Sequence, residues 1–121
     1  MKLVIDEPES VALEAYLPRD AVLATSRIAL VEVPRATALA NASEEVRKET
    51  ARLLQACLLV AVSGRVLRDA AALTSREVTT LDAIHLATAL YVEPEELIAY
   101  DRRLLTASET RGVTAVAPGR G

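Results

Sequence analysis

Three acidic residues stand where packing alone does not require an acid. Glu32 lies in an otherwise apolar segment, Asp82 opens an alanine-rich segment, and Asp101 directly follows an apolar run. Carboxylates that converge repel one another, and a divalent cation relieves that repulsion. Mg²⁺ prefers carboxylate oxygens and keeps several waters, which suits it to a phosphate substrate. The three acids are therefore candidate metal ligands for phosphoryl chemistry.

Each of these acids also has a purely structural explanation. Asp82 and Asp101 could each be the N-cap of the helix that follows, because an aspartate oxygen accepts hydrogen bonds from the first free backbone N–H groups. Glu32 could lie on a solvated helix face or pair with Arg35. Spacing alone leaves the structural and the catalytic interpretations open.

The elements that would position these acids alternate between helix and strand, which predicts an α/β fold with a mostly parallel sheet. Thr25 and Ser26 are predicted N-caps of one helix and Ser43 of the next. In such a sheet, ligands bind outside the carboxyl ends of the strands, where strand-end and helix-start acids can meet. The predicted strands cover residues 21–24, 59–62, 97–100 and 113–116, and the main helices 9–17, 27–39, 44–58, 66–73, 83–92 and 102–110.

Composition narrows the function classes. The chain has 121 residues, which fits a single domain over 1–121, and carries a net charge of −3. It has three tyrosines and no other aromatic residue, so a base-stacking nucleic-acid platform is not expected. If the protein handles nucleic acid, a metal ion is the obvious group to neutralise phosphate. The lone Cys57, together with the lack of a signal peptide or a membrane span, predicts a cytoplasmic protein.

Three segments together resemble a known family. Residues 25–33 are similar to the helix that carries the second acid of PIN-domain ribonucleases of the VapC toxin type, and residues 99–104 resemble the block with the fourth. Residues 80–89, with the sequence TLDAIHLATA, are very similar to the block with the third acid and are the most specific of the three.

The resemblance implies a PIN-like three-layer fold, with a central and mostly parallel sheet flanked by helices. It implies a metal-dependent endoribonuclease, the toxin of a type II toxin–antitoxin system, in which Asp82, Asp101 and Glu32 hold Mg²⁺, with Mn²⁺ as the alternative ion. RNA is then the substrate, and the products carry a 5′-phosphate and a 3′-hydroxyl. The implied partners are a cognate VapB-like antitoxin lying across the acidic cleft and a second copy of the chain.

The start of the chain departs from the family pattern, which opens with a buried strand that ends in Asp followed by Thr or Ser. We predict that this first strand and its catalytic Asp are missing, with Met1 already inside the family's first helix. The protein would then begin upstream or be an inactive, truncated PIN remnant that binds an antitoxin or dimerises without catalysis. Alternatively, residues 2–5 form the strand and Asp6 is the acid, although Glu7 and Pro8 replace the expected hydroxyl residues.

Other residues near the acids have mainly structural interpretations. His85 lies three residues after Asp82; we expect a packed or hydrogen-bonded histidine rather than a general base. Cys57 is predicted to lie in the core. Four arginines flank the acidic blocks and could contact RNA phosphates or be solvated helix-face charges: Arg27, Arg35, Arg102 and Arg103. A phosphoacceptor receiver domain, which also groups acids at strand ends, would need a lysine at the end of a late strand. It is disfavoured because the only lysines are Lys2 and Lys48.

Overall fold

The centre of the protein is a five-stranded sheet in which every neighbouring pair of strands is parallel. The computed structural model describes residues 1–5, 16–74, 76 and 78–119. The strands are β1 (Lys2–Val4), β2 (Leu23–Ser26), β3 (Leu58–Val60), β4 (Glu96–Ile98) and β5 (Ala115–Val116), in the order β3-β2-β1-β4-β5. The predicted α/β class is confirmed.

Five helices among the described residues connect and cover these strands. They are α1 (Ala29–Leu39), α2 (Glu44–Ala56), α3 (Gly64–Ala72), α4 (Thr80–Val92) and α5 (Arg102–Thr110). The predicted N-cap Ser43 is confirmed, since its side chain accepts a hydrogen bond from the backbone N–H of Val46. None of these helices combines the length and the hydropathy that a membrane crossing requires.

Neither Thr25 nor Ser26 is the N-cap of α1, although the Ser26 hydroxyl accepts a hydrogen bond from the Ile28 backbone N–H at 3.4 Å in the turn before the helix. Both residues lie in β2, where they are buried and stand in register with Leu59 and Val60 of β3. Pairing in the sheet therefore outweighs the local capping preference of hydroxyl side chains. Helix α1 begins only at Ala29, after Ile28, whose side chain makes no capping hydrogen bond.

The prediction that the first strand is missing is also wrong. Residues 2–4 form β1 in the middle of the sheet, where Leu3 stands in register with Ala24 of β2 and Leu97 of β4. This short run is apolar on both faces, as a central parallel strand must be, and such a run cannot be told from a buried helix by periodicity. Asp6 and residues 7–15 of the predicted 9–17 helix lie outside the described residues.

Alternating strand residues build the two cores of a three-layer fold. Leu3 and Leu97 face the layer that contains Leu86 of α4 and Leu104 of α5. Val4 and Ile98 face the opposite layer, where Leu53 of α2 and Cys57 pack against them. Cys57 packs against the core as we predicted, although it is only partly buried, and burial raises the pKa of its thiol to about 11. The three-layer architecture is the one that the resemblance implies.

At the amino end of β1, a polar cluster joins the first strand to β4. Lys2 stands in register with Glu96 and donates to its Oε1, while the Tyr16 hydroxyl donates to its Oε2. The hydrogen bond from Lys2 and then that from Tyr16 lower the pKa of Glu96 below its ordinary value of 4.5. The same pairing raises the pKa of Lys2 above 10.5. Both groups are therefore charged, and the ion pair is fully formed, between pH 4.5 and pH 10.5.

We expect Glu96→Gln to lower the free energy of unfolding by about 1–3 kcal/mol at pH 7, because it removes a charged acceptor of two hydrogen bonds. The depressed pKa of Glu96 stabilises the fold above pH 4.5, and this contribution is lost as the pH falls through the folded-state pKa. Urea unfolding should therefore show a gap between wild type and variant that narrows from pH 7 to pH 3. Glu109→Gln, on the exposed side of α5, is the matched control. A gap of constant size at both pH values would contradict the prediction.

Candidate active site

An open cleft of about 440 Å³ lies at the topological switch point of the sheet. The chain adds β2 and β3 on one side of β1, then crosses over to place β4 on the other side. The crevice at the carboxyl ends of β1 and β4 is the usual ligand site of an open parallel sheet. Ile5 and Tyr100, which follow those two strands, both line the cleft.

Glu32 lies in the first turn of α1 and lines this cleft. Its side chain is 29% exposed, whereas the neighbouring Val31 is 62% exposed. The helix thus directs its acid inward and a valine outward, the reverse of the usual amphipathic arrangement. The Glu32 Oε1 lies 2.7 Å from Nε2 of His85. The suggested pair with Arg35 is wrong, since Glu32 instead contacts α4.

Asp82 lies near the start of α4 but is not its N-cap, so the capping interpretation is wrong for this residue. The N-cap is Thr79, whose hydroxyl accepts from the Asp82 backbone N–H at 3.2 Å. Asp82 is the third residue of the helix, where a negative charge is favourable beside the positive helix end. It precedes His85 by three residues, which places both on the same helix face. Asp82 therefore lies one turn from the residue that contacts Glu32.

His85 is the packed, hydrogen-bonded histidine that we predicted. It is 1% exposed in the middle of α4, a helix whose inner face is built from small and apolar residues. An ionised carboxylate has no hydrogen to donate, so Nε2 of the ring donates to Glu32. His85 thereby joins α4 to α1 across the cleft wall.

Asp101 confirms the capping interpretation. Its Oδ1 accepts from the backbone N–H groups of Arg103 at 2.8 Å and Leu104 at 3.3 Å. These bonds fix the carboxylate at the start of α5, immediately after the cleft residue Tyr100. Capping does not exclude a second role, because a carboxylate offers four acceptor sites.

Among the described residues, no three His, Cys, Asp or Glu side chains are grouped so that they could hold one metal ion. Glu32 lines the cleft, and two other lining residues, Leu81 and Tyr100, directly precede Asp82 and Asp101 in the sequence. Carboxylate oxygens are the donors that a hard divalent cation takes, so the residue types fit such an ion.

A second open hollow, of about 450 Å³, is lined mainly by arginines. Arg102 and Arg103 from the first turn of α5 line it with Thr106, and Arg76 joins them from the connection between α3 and α4. Within the described part of the chain, none of these guanidinium groups forms an ion pair. The sequence pattern indicates Arg102 and Arg103 but not Arg76, because only the tertiary fold brings that connection to α5.

The family to which the protein belongs is identified by a family model that matches most of the chain. A model of the PIN domain matches residues 1–109. The chain belongs to the PIN domain family. Ribonuclease VapC46 of Mycobacterium tuberculosis is 42% identical to this PIN domain over 120 residues, which cover 98% of this chain and 91% of that protein. Ribonucleases of this family are in general metal-dependent.

Two solved structures share the fold of this PIN domain. A toxin–antitoxin complex from Klebsiella pneumoniae superposes with a TM-score of 0.64 and 22% identity, over 96% of this chain and 97% of that one. VapBC2 from Rickettsia felis, bound to a DNA fragment from its promoter, gives a TM-score of 0.67 and 12% identity, over 96% and 98%. At these identities the likeness establishes the common fold.

Proposed function

We propose that this PIN domain, acting as one domain over residues 1–121, is a metal-dependent endoribonuclease and the toxin of a type II toxin–antitoxin system. The observation that carries the proposal is the cleft at the topological switch point of the sheet. Glu32 lines it, and three further acids each follow a lining residue directly in the sequence: Asp6 after Ile5, Asp82 after Leu81, and Asp101 after Tyr100. The 42% identical relative, itself named a ribonuclease, supports the assignment.

Glu32, Asp82 and Asp101 are the proposed metal ligands, and we propose that Asp6 joins them as the first acid of the family pattern. Mg²⁺ is the proposed ion, with Mn²⁺ as the alternative, because both prefer carboxylate and water oxygens. When bound, such a cation makes water a better nucleophile at neutral pH and offsets the negative charge of a phosphodiester. The chain's own contribution is to hold the acids in place: α5 fixes Asp101 by two backbone N–H groups, and His85 fixes Glu32.

RNA is the proposed substrate, and the arginines supply its phosphate contacts. Arg35 lines the same cleft as Glu32, and the second hollow carries Arg76, Arg102 and Arg103 beside Asp101. Guanidinium groups bind phosphate oxygens in a bidentate manner, which would position the backbone without reading its sequence. A local basic surface of this kind compensates for the overall charge of −3. An RNA substrate also implies action in the cytoplasm.

A cognate VapB-like antitoxin is the proposed partner, together with a second copy of the chain. Val31 and Leu39 on α1 are 62% and 78% exposed, and Leu39 lines the cleft. Apolar side chains at the rim of an acidic cleft fit a partner segment that covers the site and supplies a basic residue to the carboxylates.

An inactive PIN remnant is the second candidate, and one observation favours it. The described residues contain no group of three metal-binding side chains. Such a protein would still bind an antitoxin or dimerise but would cleave no RNA.

The test of the proposed function is RNA cleavage by the purified chain, freed from any antitoxin. We expect cleavage of a mixed RNA substrate with Mg²⁺, loss of cleavage with excess EDTA, and recovery when Mg²⁺ or Mn²⁺ is restored. End-labelling of the fragments should find 5′-phosphate and 3′-hydroxyl termini. Cleavage that persists in EDTA would contradict the metal dependence. A folded chain that cleaves no RNA with either ion would establish the remnant.

A further inference from the structure

The contact between His85 and Glu32 joins a buried ring to a wall of the cleft. His85 is 1% exposed, and its Nε2 lies 2.7 Å from Glu32 Oε1. Its other ring nitrogen, Nδ1, is buried and has no hydrogen-bond partner among the described residues. Within that part of the chain, Glu32 is therefore the only group that fixes the polar edge of the ring.

The two oxygens of Glu32 differ in their surroundings. Oε1 is engaged by the histidine, whereas Oε2 has no hydrogen bond to any described residue. The side chain is 29% exposed and borders the cleft. A glutamate in this position has several rotatable bonds, and a rigid buried donor removes much of that freedom before a ligand arrives.

We propose that His85 is a positioning residue, which holds Glu32 so that the carboxylate is presented to a divalent cation in the cleft. This inference rests on the proposed function, since it assigns to His85 a share of the metal affinity of the same site. Hydrogen bonds to a metal-binding carboxylate orient it, and their loss typically lowers metal affinity or activity about 10–100-fold. The ring itself contacts neither the cation nor RNA.

The experiment compares three variants of α4 in the full chain. His85→Leu removes the donor at similar volume, while His85→Gln places an amide N–H near the position of Nε2. Thr88→Val is the control, because Thr88 is equally buried and, among the described residues, its hydroxyl donates only to the Ile84 carbonyl of its own helix. Each variant is first checked for wild-type secondary structure and cooperative unfolding.

Mn²⁺ binding by calorimetry is the first measurement, and cleavage as a function of Mg²⁺ concentration is the second. We expect His85→Leu to weaken Mn²⁺ binding about 10–100-fold, and His85→Gln and Thr88→Val to stay within a few-fold of wild type. The cleavage curve of His85→Leu should shift to higher Mg²⁺ by a similar factor, with the rate at saturating Mg²⁺ recovering. In a Glu32→Gln background, His85→Leu should have little further effect, since the two groups act as one unit.

Nuclear magnetic resonance provides a readout that does not depend on whether His85→Leu folds. His85 is the only histidine of the chain, so its ring nitrogens give unambiguous signals. We expect Mg²⁺ to shift the Nε2 signal of the wild type and to leave it unchanged in Glu32→Gln.

The outcomes separate this inference from the function it rests on. A wild type that binds no Mn²⁺ overturns the proposed function and this inference with it. A wild type that binds Mn²⁺, with His85→Leu binding equally well or with no Mg²⁺-induced shift at Nε2, overturns the role of His85 alone. If His85→Leu and Thr88→Val weaken binding equally, the effect is a general one of core packing, and the inference is likewise overturned.

Discussion

Replacement of Asp82 by asparagine should reduce Mg²⁺-dependent RNA cleavage by at least about a hundred-fold, because it removes a negative charge from the proposed cation site. The substitution preserves the size of the side chain. The backbone N–H of residue 82 still bonds to Thr79, so α4 keeps its N-cap. The fold should therefore survive, and the loss should appear in the initial rate of cleavage of a labelled RNA at fixed Mg²⁺.

The matched control for this loss is Asp69→Asn. Asp69 is an exposed aspartate of the neighbouring helix α3, paired with Arg65 at 3.8 Å, and exposed pairs of this kind contribute little. Asp101→Asn is a useful companion, since asparagine caps a helix about as well as aspartate and so leaves α5 stable. Undiminished cleavage by both Asp82→Asn and Asp101→Asn would refute the assignment of these acids.

Asp6→Asn is expected to cause a loss of similar size, at least about a hundred-fold, if Asp6 is the family's first acid. The reason is its place in the sequence, directly after Ile5, which follows the central strand β1 and lines the cleft. Cleavage should be measured beside Asp20→Asn, an aspartate that is exposed. We expect Asp20→Asn to match the wild type.

The pattern across the two sites distinguishes the hypotheses about the start of the chain. Loss in both Asp6→Asn and Asp82→Asn supports a complete acidic site that includes Asp6. Loss in Asp82→Asn with full activity in Asp6→Asn excludes Asp6 as a ligand.

Local signals in the sequence predicted much of the helical layer. Helix α5 has the predicted bounds, 102–110, because Asp101 is a strong N-cap and Gly112 follows the helix. Ser43 identified the start of α2 in the same way. Such capping signals act within a few residues of the helix end, so they can be read without knowledge of the tertiary structure.

Long-range contacts explain what the sequence did not reveal. Strand β1 has three residues, and its partner Glu96 is 94 residues away, so the residues near Lys2 allowed a strand there without showing that it is the central one. The residue types at Glu32 and His85 indicated a site, yet their contact spans 53 residues and depends on how α1 packs on α4. Family resemblance supplied the order of the acids, while the fold shows which of them lines the cleft.

The placement of β1 has a consequence for the timing of synthesis on the ribosome. Of the five strands, β1 leaves the exit tunnel first, yet it is the middle strand of the sheet, and its neighbour β4 carries Glu96, 94 residues after Lys2. Pairing across so long a separation must await the synthesis of β4, and closing so large a loop costs entropy. Ile5 and Tyr100 therefore come together to line the cleft only after β4 has been made. Under the proposed function, we expect a nascent chain to cleave no RNA until that strand has left the ribosome.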